Sequence, residues 1–196
     1  MKRVYRLLAV VALSLFVGGM ANAEGIKLGV NGGLQLPMGD FGEGLNLGFG
    51  GGISGEYLVN ENIGIGLNAG YYIFGVDGAD INLGYIPVAL NGRYYFTTEG
   101  FKPYGGIDLG LYTISTPAQT FTETMDMGPL GTQTIEMEIP SVSASNFGIA
   151  PVLGFQYDFS DALALDVNAK YNLIFSEGAS TSILGFGVGI VYTFGK

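Results

Sequence analysis

The stretch that decides the fold is residues 182–194, which read Ser-Ile-Leu-Gly-Phe-Gly-Val-Gly-Ile-Val-Tyr-Thr-Phe. Its even-numbered positions, from Leu184 to Phe194, are all large and apolar, whereas its odd-numbered positions are mostly small. Successive side chains of a β-strand point to opposite faces, so the two sets lie on opposite sides of one strand. One side is too apolar for water, and the other is too small for the core of a sandwich. The pattern therefore predicts a strand in a barrel wall, with lipid outside and a narrow lumen inside.

Residues 1–23 have the form of a secretory signal peptide. A basic start is followed by an almost wholly apolar run over residues 7–17 and by the small-residue site Ala21-Asn22-Ala23. The apolar run is too short for a membrane-spanning helix, which needs about 20 residues. We therefore expect cleavage after Ala23, which leaves a single domain over residues 24–196.

The composition excludes several classes of function. After residue 23 the chain has five basic residues against 17 acidic ones, a net charge of −12, which argues against nucleic acid as a partner. The absence of cysteine excludes a disulfide framework and thiol chemistry. The 34 glycines fall at alternate positions among many tyrosines and phenylalanines, which indicates strands rather than a flexible linker.

Eight segments repeat the alternation of large apolar residues with small or polar ones. They are residues 26–36, 45–59, 63–74, 81–97, 104–114, 146–159, 163–175 and 182–194. The fourth segment is the least regular. Because proline cannot donate a ladder hydrogen bond, we expect a bulge near Pro87 or a change of phase before Tyr85.

The connections between these segments alternate in length. The long ones are residues 37–44, 75–80, 116–143 and 176–181, and the short ones are residues 60–62, 98–100 and 160–161. Long extracellular loops, short periplasmic turns, an even strand number and aromatic girdles are typical of outer-membrane barrels. The girdle candidates at the short-turn ends are Tyr57, Tyr94, Phe96, Tyr157, Phe159, Tyr192 and Phe194, and those toward the long-loop ends are Tyr71 and Phe175. The sequence thus predicts an all-β, eight-stranded, antiparallel, up-and-down transmembrane barrel.

A soluble eight-stranded barrel is the alternative to a membrane barrel. Such a barrel places its apolar residues inward and its polar residues outward. In this chain one face carries Asn, Gln, Asp, Lys and Gly, and the other face carries almost no charge. A charge-free apolar face favours the membrane.

Three stretches carry a family resemblance: residues 86–96, residues 102–110 and the closing residues 191–194. They resemble the OmpA-like, OmpX-like and OmpW-like families of small outer-membrane β-barrels. The resemblance implies residence in the outer membrane of a Gram-negative bacterium, among lipid and lipopolysaccharide. It also implies insertion by the barrel-assembly machinery, which reads the last strand. That signal usually ends on the aromatic residue itself, whereas here Gly195 and Lys196 follow Phe194.

Charged residues on the predicted inner face balance three against three. They are Lys27, Arg93 and Lys170 against Glu56, Asp108 and Asp166. Unpaired charge is costly in a narrow lumen, so we expect an ion-pair network across the periplasmic half. The network is either a structural plug or a gate whose pairs exchange.

An open pore is not expected, because eight strands enclose little more than their own side chains. The inward tyrosines are predicted to pack over inward glycines, including Gly185, Gly187 and Gly189. We expect a structural or surface-interaction protein. The resemblance to OmpW-like proteins implies the alternative, a conduit or binder for small hydrophobic molecules.

Residues 119–139 are predicted to form a β-hairpin beyond the membrane, with its turn at residues 128–131. The residues that mark it are Phe121, Glu123, Asp126, Glu136 and Glu138. The edges of such a hairpin accept a partner strand. The alternative is an acidic loop without regular structure.

The predicted extracellular side is acidic throughout. Its further acidic residues are Asp40, Glu43, Asp77, Asp80 and Glu177. This side is either a solvated, repulsive surface or one where divalent cations bridge carboxylates to lipopolysaccharide phosphates.

Catalysis is not expected. Enzymes among small outer-membrane barrels use a histidine, and this chain has neither histidine nor cysteine. No spacing of ligands predicts a metal or cofactor site.

Overall fold

The computed structural model describes residues 25–79, 81–126, 132–176 and 179–194. Within them lie the strands β1 (Ile26–Met38), β2 (Gly48–Leu58), β3 (Ile63–Gly75), β4 (Asn82–Tyr95), β5 (Phe101–Thr116), β6 (Gln119–Asp126), β7 (Thr132–Ile139), β8 (Val142–Asp158), β9 (Leu163–Ser176) and β10 (Ala179–Phe194). Eight of these strands close into an antiparallel barrel in the order β1-β10-β9-β8-β5-β4-β3-β2. The predicted fold is confirmed, while the predicted signal peptide lies outside the described residues.

The two faces of the wall follow the alternation in the sequence. Outward side chains such as Leu153 and Val188 are 70% and 56% exposed, whereas inward ones such as Tyr85 and Gln156 are 1% exposed. The outer face is therefore a continuous apolar surface, and the buried core is the lumen. Among the described residues, no helix is both long and apolar enough to cross a bilayer.

Aromatic side chains border the apolar outer face at both ends. At the short-turn end, Tyr94 packs edge-on against Phe96, and Tyr192 packs edge-on against Phe194. At the opposite end, Phe147 stacks on Phe175 with ring centroids 6.5 Å apart. These two rows have the positions of the girdles of a membrane barrel.

The β3–β4 ladder is interrupted at Pro87, because Gly70 and Tyr71 have no partners on β4 there, but its register does not change. β4 keeps one register with β3 from Ile63↔Tyr94 to Gly75↔Asn82, and one register with β5 throughout. Leu83 packs against the same lumen cluster that contains Tyr85, so the phase does not change before Tyr85. The prediction of a bulge or phase change was wrong, because the missing proline donor is tolerated without an inserted residue.

The short turns have ordinary turn chemistry. The Asn60 side chain accepts hydrogen bonds from the backbone N–H groups of Asn62 and Ile63, at 2.9 and 2.8 Å. Gly100 ends the β4–β5 turn at φ +64°, a left-handed conformation that favours glycine.

The predicted loop over residues 176–181 is wrong. β9 and β10 remain paired up to Ser176↔Ala179, leaving residues 177–178 outside the described part. The polar run Ser180-Thr181-Ser182 lacks the apolar alternation of a membrane strand, yet it continues the ladder.

A two-stranded ribbon leaves the barrel between β5 and β8. The β5–β8 ladder ends at Thr116↔Val142, and β6 and β7 then pair antiparallel from Gln119↔Ile139 to Asp126↔Thr132. The predicted hairpin falls on this ribbon, and its predicted turn at residues 128–131 lies outside the described residues.

Candidate functional site

The candidate site is the lumen, which is filled by two layers of side chains. The layer near the long loops, here called the aromatic layer, consists of Tyr72, Phe74, Tyr85, Tyr112, Ile174 and Ile183. The layer near the short turns is built on Tyr95, Tyr104 and Val152. All these residues are 9% exposed or less. These two layers and the buried charged and amide side chains around them are together called the lumen plug.

Ring contacts hold the aromatic layer together. Tyr85 lies at its centre, stacked on Tyr112 with ring centroids 6.1 Å apart and 6.0 Å from the rings of Tyr72 and Phe74. Phe41, on the short 3-10 helix Gly39–Gly42 after β1, packs edge-on against Phe74 at 6.3 Å. The loop thereby adds a side chain above the wall's own residues.

Glycines on the adjacent strands make room for these rings. A Cβ added at Gly48 would lie 2.6 Å from the Phe74 ring, and one at Gly148 would lie 2.8 Å from the Tyr112 ring. Protein interiors are close-packed, so a side chain at these positions would have to displace a ring.

The glycines of β10 serve different neighbours from those predicted. A Cβ at Gly185 would meet the Gln35 amide at 2.6 Å, and one at Gly187 would meet the Asn168 amide at 3.0 Å. Gly189 faces Asn31. The expectation that tyrosines fill this space was wrong, because the lumen side of β1 and β9 next to β10 carries amides there.

Glu56 is the centre of a buried group of charges at the short-turn end, made of Lys27, Glu56, Arg93 and Asp166. It is called the periplasmic charge cluster after the side of the barrel that the sequence predicts for this end. Tyr95 donates its hydroxyl to Glu56 Oε1 at 2.6 Å. Lys27 Nζ lies 3.6 Å from Glu56 Oε1, and Arg93 Nε lies 3.6 Å from Glu56 Oε2. Arg93 also reaches Asp166, with Nη1 at 3.9 Å from Oδ2. Two cations and two carboxylates therefore compensate one another.

Neutral donors and acceptors surround Asp166 and Lys27 of the periplasmic charge cluster. Asp166 accepts hydrogen bonds from the Tyr104 hydroxyl at 3.0 Å, from Gln156 Nε2 at 3.1 Å and from Asn168 Nδ2 at 2.7 Å. Lys27 Nζ donates to Gln156 Oε1 at 3.0 Å. A buried ion pair offsets its desolvation only when its remaining polar atoms are also bonded, and Asp166 meets that condition.

The two other predicted charged residues form a separate pair. Lys170 Nζ donates to Asp108 Oδ2 at 2.7 Å, and Asn68 Nδ2 donates to the same oxygen at 3.0 Å. Among the described residues, no ion pair joins this pair to the periplasmic charge cluster. The structure thus divides the six predicted residues into a group of four and a group of two.

Lys102 was missed in the sequence, although it forms the shortest ion pair of the described lumen. Its Nζ lies 2.5 Å from Asp158 Oδ1, close to the short turns. Lys102 has the same parity as Tyr104 on β5, so the alternation alone predicts that it points inward.

The cavities inside the lumen plug are small. One of about 40 Å³ lies between Asn31, Tyr72, Asp108 and Lys170, and another of about 10 Å³ lies beside Arg93 and Asp166. A larger one of about 220 Å³ opens at the short-turn end. That cavity is lined by Lys27, Leu58, Glu61, Tyr95, Thr98, Glu99, Lys102 and Thr193.

The acidic residues of the long loops lie on several different elements. In the described ranges, no group of three or more acidic side chains has the arrangement of a metal site. Glu123 and Asp126 lie on β6, Glu136 and Glu138 lie on β7, and Phe121 is opposite Met137 in the ribbon register. Asp80 and Glu177 lie outside the described residues.

Comparison with known proteins gives one family. The chain matches the model of the outer membrane protein beta-barrel domain over residues 8–194. No curated protein sequence matches it.

Solved structures share the fold at low sequence identity. Neisserial surface protein A is 18% identical, with 87% of this chain and 99% of that chain covered and a TM-score of 0.62. The attachment invasion locus protein Ail of Yersinia pestis is 14% identical, with 88% and 100% covered and a TM-score of 0.56. OprG of Pseudomonas aeruginosa is 15% identical, with 89% and 97% covered and a TM-score of 0.54. At these identities the likeness concerns the fold.

Proposed function

The chain belongs to the outer membrane protein beta-barrel domain family, and from this premise we propose that it is a surface-interaction protein carried by a barrel with a closed lumen. In this proposal residues 1–23 direct export and are removed, and residues 24–196 enter the outer membrane of a Gram-negative bacterium. The barrel holds the β6–β7 ribbon outside the cell and has no catalytic role.

The observation that carries the proposal is the pairing of β6 and β7. In the described part of the chain these two strands pair only with each other, so each has one edge without a ladder. Each strand has eight residues, which corresponds to roughly 25 Å at about 3.3 Å per residue. Unpaired edges of this length accept an added strand through backbone hydrogen bonds.

The composition of the ribbon indicates the kind of partner. Residues 119–139 include four acidic residues and no lysine or arginine. Opposite charge speeds encounter and selects among partners, so we propose an extended, basic polypeptide segment.

The lumen plug supports a scaffolding role for the barrel. Its ionic groups lie in compensated pairs. The cavities of about 40 and 10 Å³ inside it, and the cavity of about 220 Å³ at its short-turn end, are all smaller than the roughly 300–1,000 Å³ of a small-molecule pocket. The alternative function, a conduit for small hydrophobic molecules, needs a continuous apolar cavity. Each described cavity instead has charged side chains among its lining residues, which favours the closed barrel.

Lipid and lipopolysaccharide are the proposed surroundings of the wall. The outer face carries the exposed apolar side chains of all eight barrel strands and both aromatic rows. We also propose that the barrel-assembly machinery recognises β10, whose last paired aromatic residue is Phe194.

Deletion of the ribbon tests the function. A variant that joins residue 118 to residue 140 keeps every strand of the barrel. In proteoliposomes it is expected to lose binding of a synthetic extended peptide of alternating lysine and threonine, measured by surface plasmon resonance. The matched control, Asp40→Asn with Glu43→Gln, removes two loop charges and keeps the ribbon, so it is expected to bind like the parent. Equal loss of peptide binding in both variants would mean that negative charge alone, without the strand edges, attracts the peptide. Undiminished binding by the deletion variant would refute the role of the ribbon.

A further inference from the structure

The cavity of about 220 Å³ at the short-turn end, here called the mouth cavity, is lined by opposite charges at two depths. Its two lysines, Lys27 and Lys102, are only 5% and 6% exposed and form the floor. Its two acidic residues, Glu61 and Glu99, lie in exposed short turns and form the rim. The mouth cavity therefore has a positive floor below a negative rim.

Among the described residues, the Lys27 ammonium has no carboxylate oxygen within hydrogen-bond distance. Glu56 Oε1 is 3.6 Å away and accepts the hydroxyl of Tyr95 at 2.6 Å instead. The acceptor that Lys27 Nζ does reach is a neutral amide, Gln156 Oε1, at 3.0 Å. An ammonium group has three donors, and a charge this buried is costly without a bonded counter-charge. Lys27 is therefore able to bind a further anionic acceptor.

Lys102 supplies a second ammonium group next to the first. It is opposite Gln156 in the β5–β8 ladder, and Lys27 donates to the side chain of the same glutamine. Lys102 Nζ is bonded to both carboxylate oxygens of Asp158, at 2.5 and 2.8 Å. Glu56 and Asp158 both lie outside the described lining of the mouth cavity. The cavity thus borders the two lysines without bordering the carboxylates that pair with them.

These charges discriminate among ligands. A metal cation would be repelled by the two ammonium groups of the floor, and a dianion such as phosphate would be repelled by the rim twice as strongly as a single negative charge. A neutral ligand would leave the charge of Lys27 without a bonded partner. A carboxylate accepts charge-assisted hydrogen bonds from both lysines and carries only one negative charge past the rim.

The remaining lining residues set the size and polarity of the ligand. Leu58 and the buried Tyr95 line the mouth cavity beside the lysines and offer apolar surface to a short alkyl chain. The volume of about 220 Å³ is below the roughly 300–1,000 Å³ of a pocket for a drug-sized molecule, so the ligand has only a few carbon atoms.

We propose that the mouth cavity binds a small aliphatic carboxylate with one negative charge, held by Lys27 and Lys102. The carboxylate belongs either to a free short-chain acid or to the end of a peptide. Because the mouth cavity opens at the short-turn end, its ligand comes from the periplasm in the predicted orientation. The ribbon lies at the opposite end of the barrel, so this proposal and the proposed function can each fail alone.

Nuclear magnetic resonance of the folded chain in detergent micelles, with isotope-labelled lysine side chains, tests the proposal. Titration with sodium propionate at constant ionic strength is expected to shift the signals of Lys27 and Lys102 until saturation. Lys170, which is bonded to Asp108 elsewhere in the lumen, is expected to stay unchanged and serves as the internal control. Propionamide, the neutral analogue, and inorganic phosphate are expected to cause no saturable shift.

N-acetylalanine, which carries its carboxylate at the end of a blocked peptide unit, separates the two sources. Tighter binding than propionate would indicate a peptide end, and weaker binding would indicate a free acid. The proposal would be overturned if neither carboxylate gave a saturable shift at Lys27 and Lys102. Equal shifts with propionamide or phosphate would also overturn it.

Three variants add a second measurement, the affinity for propionate. Lys27→Met removes a charged donor and is expected to lower the affinity about tenfold or more. Glu99→Gln removes a rim charge and is expected to raise the affinity roughly twofold at low ionic strength, an effect that salt abolishes. The matched control is Asp161→Asn, in an exposed short turn outside the cavity lining, which is expected to leave the affinity unchanged.

Undiminished affinity in Lys27→Met would overturn the proposed floor, and equal effects of Glu99→Gln and Asp161→Asn would overturn the proposed rim. Should Lys27→Met not fold, the titration of the parent chain and the effect of Glu99→Gln still decide.

Discussion

Arginine substitutions along β10 measure which face of the wall meets lipid, and Val188→Arg is the most informative. Val188 lies in the middle of the apolar stretch 182–194, is 56% exposed, and pairs with Gly32 and Val167. Phe194 is six residues further along, which at about 3.3 Å per residue and a tilt of about 40° lies roughly 15 Å deeper toward the periplasmic interface. Val188 is therefore near the bilayer midplane.

The expected cost follows from this depth. Arginine on the lipid face costs about 2–4 kcal/mol at the midplane and about 0–1 kcal/mol near the interface. Since every 1.4 kcal/mol or so is a factor of ten, Val188→Arg is expected to lower the folding equilibrium constant roughly 30- to 700-fold. Phe194→Arg is expected to lower the same equilibrium constant about fivefold or less, counting only the cost of placing arginine near the interface.

Equilibrium unfolding from liposomes in denaturant is the assay, with tyrosine fluorescence as the readout. Gly187→Arg serves as the inward control, because its Cβ would meet the Asn168 amide at 3.0 Å and so disturbs the lumen. The loss of unfolding free energy caused by Gly187→Arg, measured against the parent in the same bilayer, is expected to be equal in thin and thick bilayers. The loss caused by Val188→Arg is expected to change with thickness. Equal stability of Val188→Arg and the parent, or equal effects at residues 188 and 194, would refute the assignment of faces and depth.

Two further substitutions test the lumen plug. Glu56→Gln removes the carboxylate that two buried cations share, and it is expected to lower the free energy of unfolding by about 3–5 kcal/mol in denaturant titration. The control is Glu61→Gln in an exposed turn, which is expected to change the free energy of unfolding by less than about 0.5 kcal/mol. Equal effects of the two substitutions would contradict the stabilising role of Glu56 in the periplasmic charge cluster. Gly154→Ala places a Cβ 2.6 Å from the Val167 carbonyl oxygen and 2.7 Å from the Tyr104 ring, and it is expected to cost about 1–3 kcal/mol, whereas a Cβ at Gly92 meets no atom within 4 Å. A Gly154→Ala variant as stable as Gly92→Ala would show that the packing around Gly154 is not tight.

The barrel itself was predictable from the sequence because period-2 alternation fixes the face of each residue. Parity alone places Glu56 and Asp166 inward, and the same rule also predicts that the Lys102 side chain points inward. Alternation fails where the strands leave the membrane, since a polar run such as Ser180–Ser182 has no apolar face to mark it. This explains why the extension of β9 and β10 was missed.

The pairing of side chains across the lumen was not predictable from the sequence. Which lysine meets which carboxylate depends on the stagger of the strands, and the sequence does not contain that stagger in readable form. Lys170 and Asp108 are 62 positions apart, yet they form a pair of their own. The neighbours of Gly185 and Gly187 depend on the same stagger, which places amides beside β10 instead of tyrosines.

Conductance across a planar lipid bilayer tests the closed lumen most directly. The two layers of the lumen plug and the small cavities between them predict no stable conductance above the bilayer baseline after insertion of the folded chain. Insertion is verified independently by protection of the barrel strands from protease. Large, stable, voltage-independent conductance steps from the protected barrel would contradict the closed lumen.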